Sequence, residues 1–177
     1  MPLTYTNIAS TTLASAASTV TLSSIPGTYT DLMLICSLRG DRGVYADPIQ
    51  ITLNEAFTGA AVTYSYTNFT SNAGGRTSTR GTADSRIYVD ETIPQAGFFN
   101  STATFNTTQV YFPNYTTSAP KVVSLVAGWT SINSSIANGL TMTAGRKNDA
   151  SAISSIILSS NGFVIGTSLY LYGIKNS

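Results

Sequence analysis

Asp31-Leu32-Met33-Leu34-Ile35-Cys36-Ser37-Leu38 decides how the rest of this 177-residue chain is read. Successive side chains of a strand point to opposite faces, so Leu32, Leu34, Cys36 and Leu38 share one side while Met33 and Ile35 take the other. Apolar residues on both sides predict a central strand covered on both faces. Outward from this run the same two-residue period recurs. Residues 19–25 alternate around Val20 and Leu22 and stop at the turn Pro26-Gly27. Residues 49–53, 62–69, 86–90, 104–112, 122–130, 140–145, 153–158 and 168–174 also read as strands. Gly74-Gly75 opens a loop running to about residue 83. No segment keeps a 3.6-residue apolar period over three turns, and the Ala-rich piece 12–18 is too short for a helix of consequence. About nine to eleven strands without crossover helices predict an all-β fold, a two-sheet antiparallel β-sandwich with jelly-roll topology. There is no internal repeat and no linker. The expected organisation is an N-terminal arm, residues 1–10, followed by a single sandwich domain, residues 11–177. Leu32, Leu34, Cys36, Val122 and Leu171 are expected in the core.

Composition narrows the function. Only 10% of the residues are charged, against about 25% in an ordinary soluble domain. Ser and Thr supply about 28% instead, so hydroxyls replace charges on the surface. A net charge of +1 gives no cluster of cations to release counterions, so no nucleic-acid partner is expected. Weak self-repulsion favours self-association. The opening Met1-Pro2-Leu3-Thr4-Tyr5 has no basic region leading into an apolar stretch, and no run approaches 18 consecutive apolar residues. Neither a signal peptide nor a membrane partner is expected, and the Asn-x-Ser/Thr triplets follow from a Thr-rich composition. The lone Cys36 reads as a small core hydrophobe.

Candidate chemistry is sparse. With no histidine in the chain, Ser-His-Asp and Cys-His nucleophilic systems are excluded, along with the commonest metal ligand. Asp90 and Glu91 are neighbours on a strand and point apart, so they do not make a carboxylate dyad. Asp41 and Asp47 in Arg39-Gly40-Asp41-Arg42-Gly43-Val44-Tyr45-Ala46-Asp47-Pro48 offer too few oxygens for a strong calcium site, and a turn-rich loop explains them. Ala73-Gly74-Gly75-Arg76-Thr77-Ser78-Thr79-Arg80-Gly81 lacks the Gly-Lys-Ser/Thr ending of a phosphate loop. Its Arg76 and Arg80 are natural donors to a partner's carboxylates. Trp129 shares a strand face with Val123, Leu125 and Ala127 and reads as core rather than as a sugar platform. No catalytic, metal or cofactor residue is assigned. The candidate contacts to a partner are Leu3, Tyr5, Asn7, Arg76 and Arg80, the first three because an edge-type opening stretch has backbone groups free to join a neighbour's sheet.

Several pieces, in order, resemble a family of small virion proteins of tailed bacteriophages. They are Tyr5-Thr6-Asn7-Ile8-Ala9-Ser10-Thr11-Thr12-Leu13, Ser23-Ser24-Ile25-Pro26-Gly27-Thr28-Tyr29-Thr30-Asp31-Leu32, Tyr111-Phe112-Pro113-Asn114-Tyr115, Ala144-Gly145-Arg146-Lys147 and the ending Leu169-Tyr170-Leu171-Tyr172-Gly173-Ile174-Lys175. Lys147, where the family often has an aromatic, and Thr63, where it often has Asn, are departures. The resemblance implies a β-sandwich module used as a capsid decoration (cement) protein, a head fibre or a tail-fibre part. Decoration is the leading expectation: assembly in a bacterial cytoplasm, location in the virion, the major capsid protein lattice as partner, and a homo-oligomer, a trimer by analogy with decoration proteins at threefold positions. The alternative is a carbohydrate- or receptor-binding module of a fibre. The family supplies no catalytic motif.

Overall fold

The computed structural model describes residues 4–41, 46–55, 64–72, 74–94, 104–130 and 138–175. Among them are twelve strands and no helix: β1 (Thr4–Thr12), β2 (Ala17–Leu22), β3 (Asp31–Leu38), β4 (Ala46–Leu53), β5 (Tyr64–Asn72), β6 (Gly75–Asp84), β7 (Ile87–Pro94), β8 (Asn106–Phe112), β9 (Lys121–Thr130), β10 (Asn138–Lys147), β11 (Ile156–Phe163) and β12 (Ser168–Lys175). They form two antiparallel sheets, in the order β1-β12-β3-β8-β9-β10-β5-β6 and β2-β11-β4-β7. The protein is thus an all-β, two-sheet antiparallel sandwich. The sheets are unequal, eight strands against four, whereas a jelly roll distributes eight strands over two sheets.

The core lies between the sheets. β3 contributes Leu32, Leu34, Cys36 and Leu38, β9 contributes Val123, Leu125 and Ala127, and β12 contributes Leu169 and Leu171, all buried. Ile49, Ile51 and Leu53 of β4 and Ile156 and Leu158 of β11 close it from the small sheet. Burial also pushes the Cys36 thiol up in pKa, so it stays protonated and inert. β3 is central, between β12 and β8, but among the described residues no layer covers its second face. Met33 and Ile35 are half-buried on the outer side of the large sheet, opposite the core. Val122 is a correction. It alternates with the inward Val123 and is 51% exposed, since two neighbours on one strand cannot both face the core.

The loop expected from Gly74 to residue 83 is also corrected, for residues 75–84 are strand β6. They pair with β5 from Asn72↔Gly75 to Tyr64↔Asp84, with a bulge between Tyr64 and Ser65. Every side chain of β6 is exposed or half-exposed, so no apolar period announced it. The tight turn before it uses Gly75 at φ 137°, a conformation open to glycine. The described part of the expected arm, residues 4–10, lies in β1. It pairs with β12 from Thr4↔Lys175 to Thr12↔Ser168 around a bulge between Asn7 and Ala9.

Candidate assembly interface

The outer face of the large sheet is built by an inverted polarity. In β10 the inward residues are Thr141 and Thr143, buried to 0% and 4% exposure, while the outward Leu140 and Met142 stand 41% and 48% exposed. β5 repeats this, with Asn68 and Thr70 buried and Phe69 exposed. The inward layer is stabilised by hydrogen bonds rather than by apolar packing. Thr143 donates to Asn68 Oδ1 at 2.7 Å, Asn68 Nδ2 donates to Tyr88 O at 2.8 Å and to Thr79 Oγ1 at 3.1 Å, and Thr79 donates to Asp90 Oδ2 at 2.6 Å. A paired polar layer fixes strand placement, and it leaves Leu140, Met142 and Phe69 in solvent, while Tyr64 of β5 is buried in the core.

Of the large hydrophobics that stand exposed, Tyr5, Phe69, Val122, Val126, Leu140, Met142 and Tyr170 lie on this one face, and Ile165 does not. Register brings several of them into one row. Phe69 is opposite Met142, Met142 opposite Val126, and Ile35 opposite Tyr170, which gives a stripe across β5, β10, β9, β3 and β12, with Gln109 of β8 between Val126 and Ile35. Scattered exposed apolar residues are ordinary, whereas a contiguous patch marks an interaction surface. The small sheet differs: its outer hollow is lined by Ser18, Thr19, Thr21, Gln50 and Ser159 among others.

Exposed charge on the outer face of the large sheet is confined to one end. Arg76 and Arg80 of β6 and Arg146 of β10 point outward there. Arg146 donates to Asn148 Oδ1 at 2.9 Å, whereas no polar partner of Arg76 or Arg80 occurs among the described residues. Between Arg80 and Arg146 the small side chains of Ser65, Thr67 and Ala144 leave a hollow of about 320 Å³, walled also by Thr82 and Val122. The opposite end is aromatic, with Tyr5 edge-on to Tyr172 at 6.4 Å. The one outward carboxylate of β3, Asp31, is buried and accepts from Tyr111 Oη and from Asn114 N, both at 2.8 Å. Burial first, then this bond and the negative charge of Asp31, push the Tyr111 hydroxyl up to about 12.

The candidate contacts therefore share one face but not one site. Tyr5 and Asn7 lie on β1 and Arg76 and Arg80 on β6, the two edges of the large sheet, and Leu3 lies outside the described residues. The stripe between them was missed, although the alternation Val122, Ser124, Val126, Gly128 against Val123, Leu125, Ala127, Trp129 carried the signal. Among the described residues no cluster of His, Cys, Asp and Glu is placed to hold a metal ion. Asp47 is buried and receives Asn161 Nδ2 on both oxygens, at 2.8 and 2.9 Å. No family model, no curated protein and no solved structure matches the chain.

Proposed function

We propose that this chain is a structural protein of a tailed-bacteriophage virion, a capsid decoration protein that binds the assembled head and stabilises it without chemistry. The phage assignment rests on the sequence resemblance. The observation that carries the binding role is the free edge of β1. Thr4–Thr12 is nine residues long and carries neither charge nor proline, and among the described strands only β12 pairs with it. Proteins blunt such edges with lysines, prolines or bulges, and β1 has a single bulge between Asn7 and Ala9. An edge left this open is suited to accept a strand from a capsid subunit. Binding only the assembled shell stabilises it by mass action, and repeated contacts amplify a modest affinity.

The test compares DNA retention on heating of particles carrying the protein with that of bare particles, and adds a variant with Thr6→Lys and Ser10→Lys. Both positions are exposed, so the variant should fold while losing attachment. Bare particles that hold DNA as well as decorated ones, together with a variant that still attaches, would defeat the proposal. A second reading, a fibre module that binds an acidic sugar, is favoured by the hollow between Arg80 and Arg146, whose guanidinium groups and hydroxyls suit a carboxylate. Binding of acidic glycans on an array, lost in Arg80→Gln, would select it.

A further inference from the structure

We infer that two copies of this chain pack face to face through the outer surfaces of their eight-stranded sheets, about a two-fold axis that runs along the strands between β8 and β9. This does not depend on what the protein attaches to. The first argument is extent. Strands about 4.8 Å apart, with same-face residues about 6.7 Å apart, make six strands by four rows on the order of 750 Å² per copy, close to the roughly 800 Å² per partner of a standard stable interface. The second is polarity. Phe69 of β5 and Leu140 and Met142 of β10 point away from their own core, which is the arrangement expected if the outer face is covered by another layer. Two sheet faces so covered pack nearly aligned.

The third argument is charge, and it selects the axis. An axis across the strands would set the Arg76, Arg80 and Arg146 end of one copy on the same end of the other, and the three cations would repel. An axis along the strands sets that end on the partner's tyrosine end. Register then makes the fit specific. One row of the sheet runs from Arg80 through Thr67, Ala144, Tyr111 and Met33 to Tyr172. The intervening step, Ala144 to Tyr111, passes through Ser124. β5 and β12 are the second strands from the two ends. The axis between the two middle strands, β8 and β9, therefore exchanges them and lays the ring of Tyr172 over Thr67 in the partner's hollow. The hollow is ring-sized, floored by small side chains and flanked by the guanidinium groups of Arg80 and Arg146. A tyrosine ring between guanidinium groups combines apolar burial with cation–π attraction, and Tyr and Arg are the residues that dominate interface energetics. The arrangement is isologous and closes at two copies. This dimer is proposed in place of the trimer expected by analogy.

Sedimentation of the full chain from about 1 to 200 μM should show a monomer–dimer equilibrium. Thr67→Phe fills the hollow from an exposed position and should raise the dissociation constant at least tenfold, and Val126→Lys with Met142→Glu, an opposite-charge cross-strand pair, should abolish the dimer. Circular dichroism and melting temperature should stay unchanged in both, since these side chains face solvent in the single copy. Arg80→Gln and Tyr172→Ala should be non-additive in a double-mutant cycle on dimer affinity. A chain that stays monomeric throughout the range overturns the inference, including the case in which a monomer uses this face to bind particles or a glycan. So does a dimer unaffected by the Val126 and Met142 changes. Attachment to particles by the monomeric variant, weaker but present, would leave the role of the β1 edge intact, so the two proposals fail separately.

Discussion

At the residue scale, two features carry consequences that the sequence pattern does not show. Gly139 pairs directly with Trp129 across β9 and β10, and a Cβ placed on it would lie 2.3 Å from the indole Cε2. Trp129 is buried and cannot swing away cheaply. Gly139→Ala should therefore cost about 1–3 kcal/mol, the range for overpacking, read as a lower midpoint in urea. Lys147 is the other. Its ammonium, 3% exposed, donates to Leu53 O at 2.7 Å and faces Glu55 Oε1 at 3.2 Å and Asp149 Oδ2 at 3.1 Å. Breaking a fully buried pair costs about 3–5 kcal/mol. Glu55 and Asp149 are 42% and 32% exposed and can rehydrate, and Leu53 O also accepts from Tyr64 Oη. Lys147→Met should thus cost less, about 1–3 kcal/mol in the same titration. The alternation of Lys147 with Arg146 on β10 decides which of the two turns inward.

At the element scale, legibility followed the core. β3, β9 and β12 were readable because Leu32, Leu34 and Cys36, Val123 and Leu125, and Leu169 and Leu171 repeat every second residue against a buried layer. β6 was not, because its inward contact is made by a hydroxyl, Thr79, and not by an apolar side chain. β5 and β10 were legible as strands but not in their facing. Leu140 and Met142 of β10 and Phe69 of β5 sit on the outer side, against the rule that the apolar face turns to the core, while Tyr64 of β5 keeps to it. β1 was legible as an edge and illegible as part of the sheet, since its Thr and Asn side chains give no period. Its pairing changes one expectation. Deleting residues 1–10 removes most of β1, strips β12 of its ladder on one side and uncovers Leu169 and Leu171, which Ile8 and Ala9 help to close. The truncated chain should melt measurably lower than the full chain, whereas Thr6→Lys with Ser10→Lys should not. Equal melting temperatures for the truncated and full chains would show that β1 adds no stability.

At the scale of the whole molecule, the lack of histidine that removed most catalytic chemistry also sets the dependence on pH. No side chain has an ordinary pKa between about 5 and 8, so stability and dimerisation should be flat across that window. The limits come from particular groups. The Asp149 carboxyl is held down to about 2, first by the backbone N–H of Ser151, then by Lys147 and the Ser151 hydroxyl. In the unfolded chain it titrates near 3.9. A depressed folded pKa contributes stability that is complete above the unfolded value and is lost as protons bind, here between about pH 4 and pH 2. The alkaline limit has the opposite origin. Buried Cys36 and Tyr64 and the half-buried Tyr111 are all shifted upward. Their unfolded forms therefore ionise first, from about pH 9, and draw the equilibrium toward the unfolded state as pH rises. Denaturation midpoints measured from pH 2 to 11 should form a plateau with two falling limbs. Asp149→Asn should flatten the acid limb, because the amide oxygen still accepts from Ser151 N but no longer titrates. A slope between pH 5 and 8, or an acid limb unchanged in that variant, would place the controlling charges elsewhere.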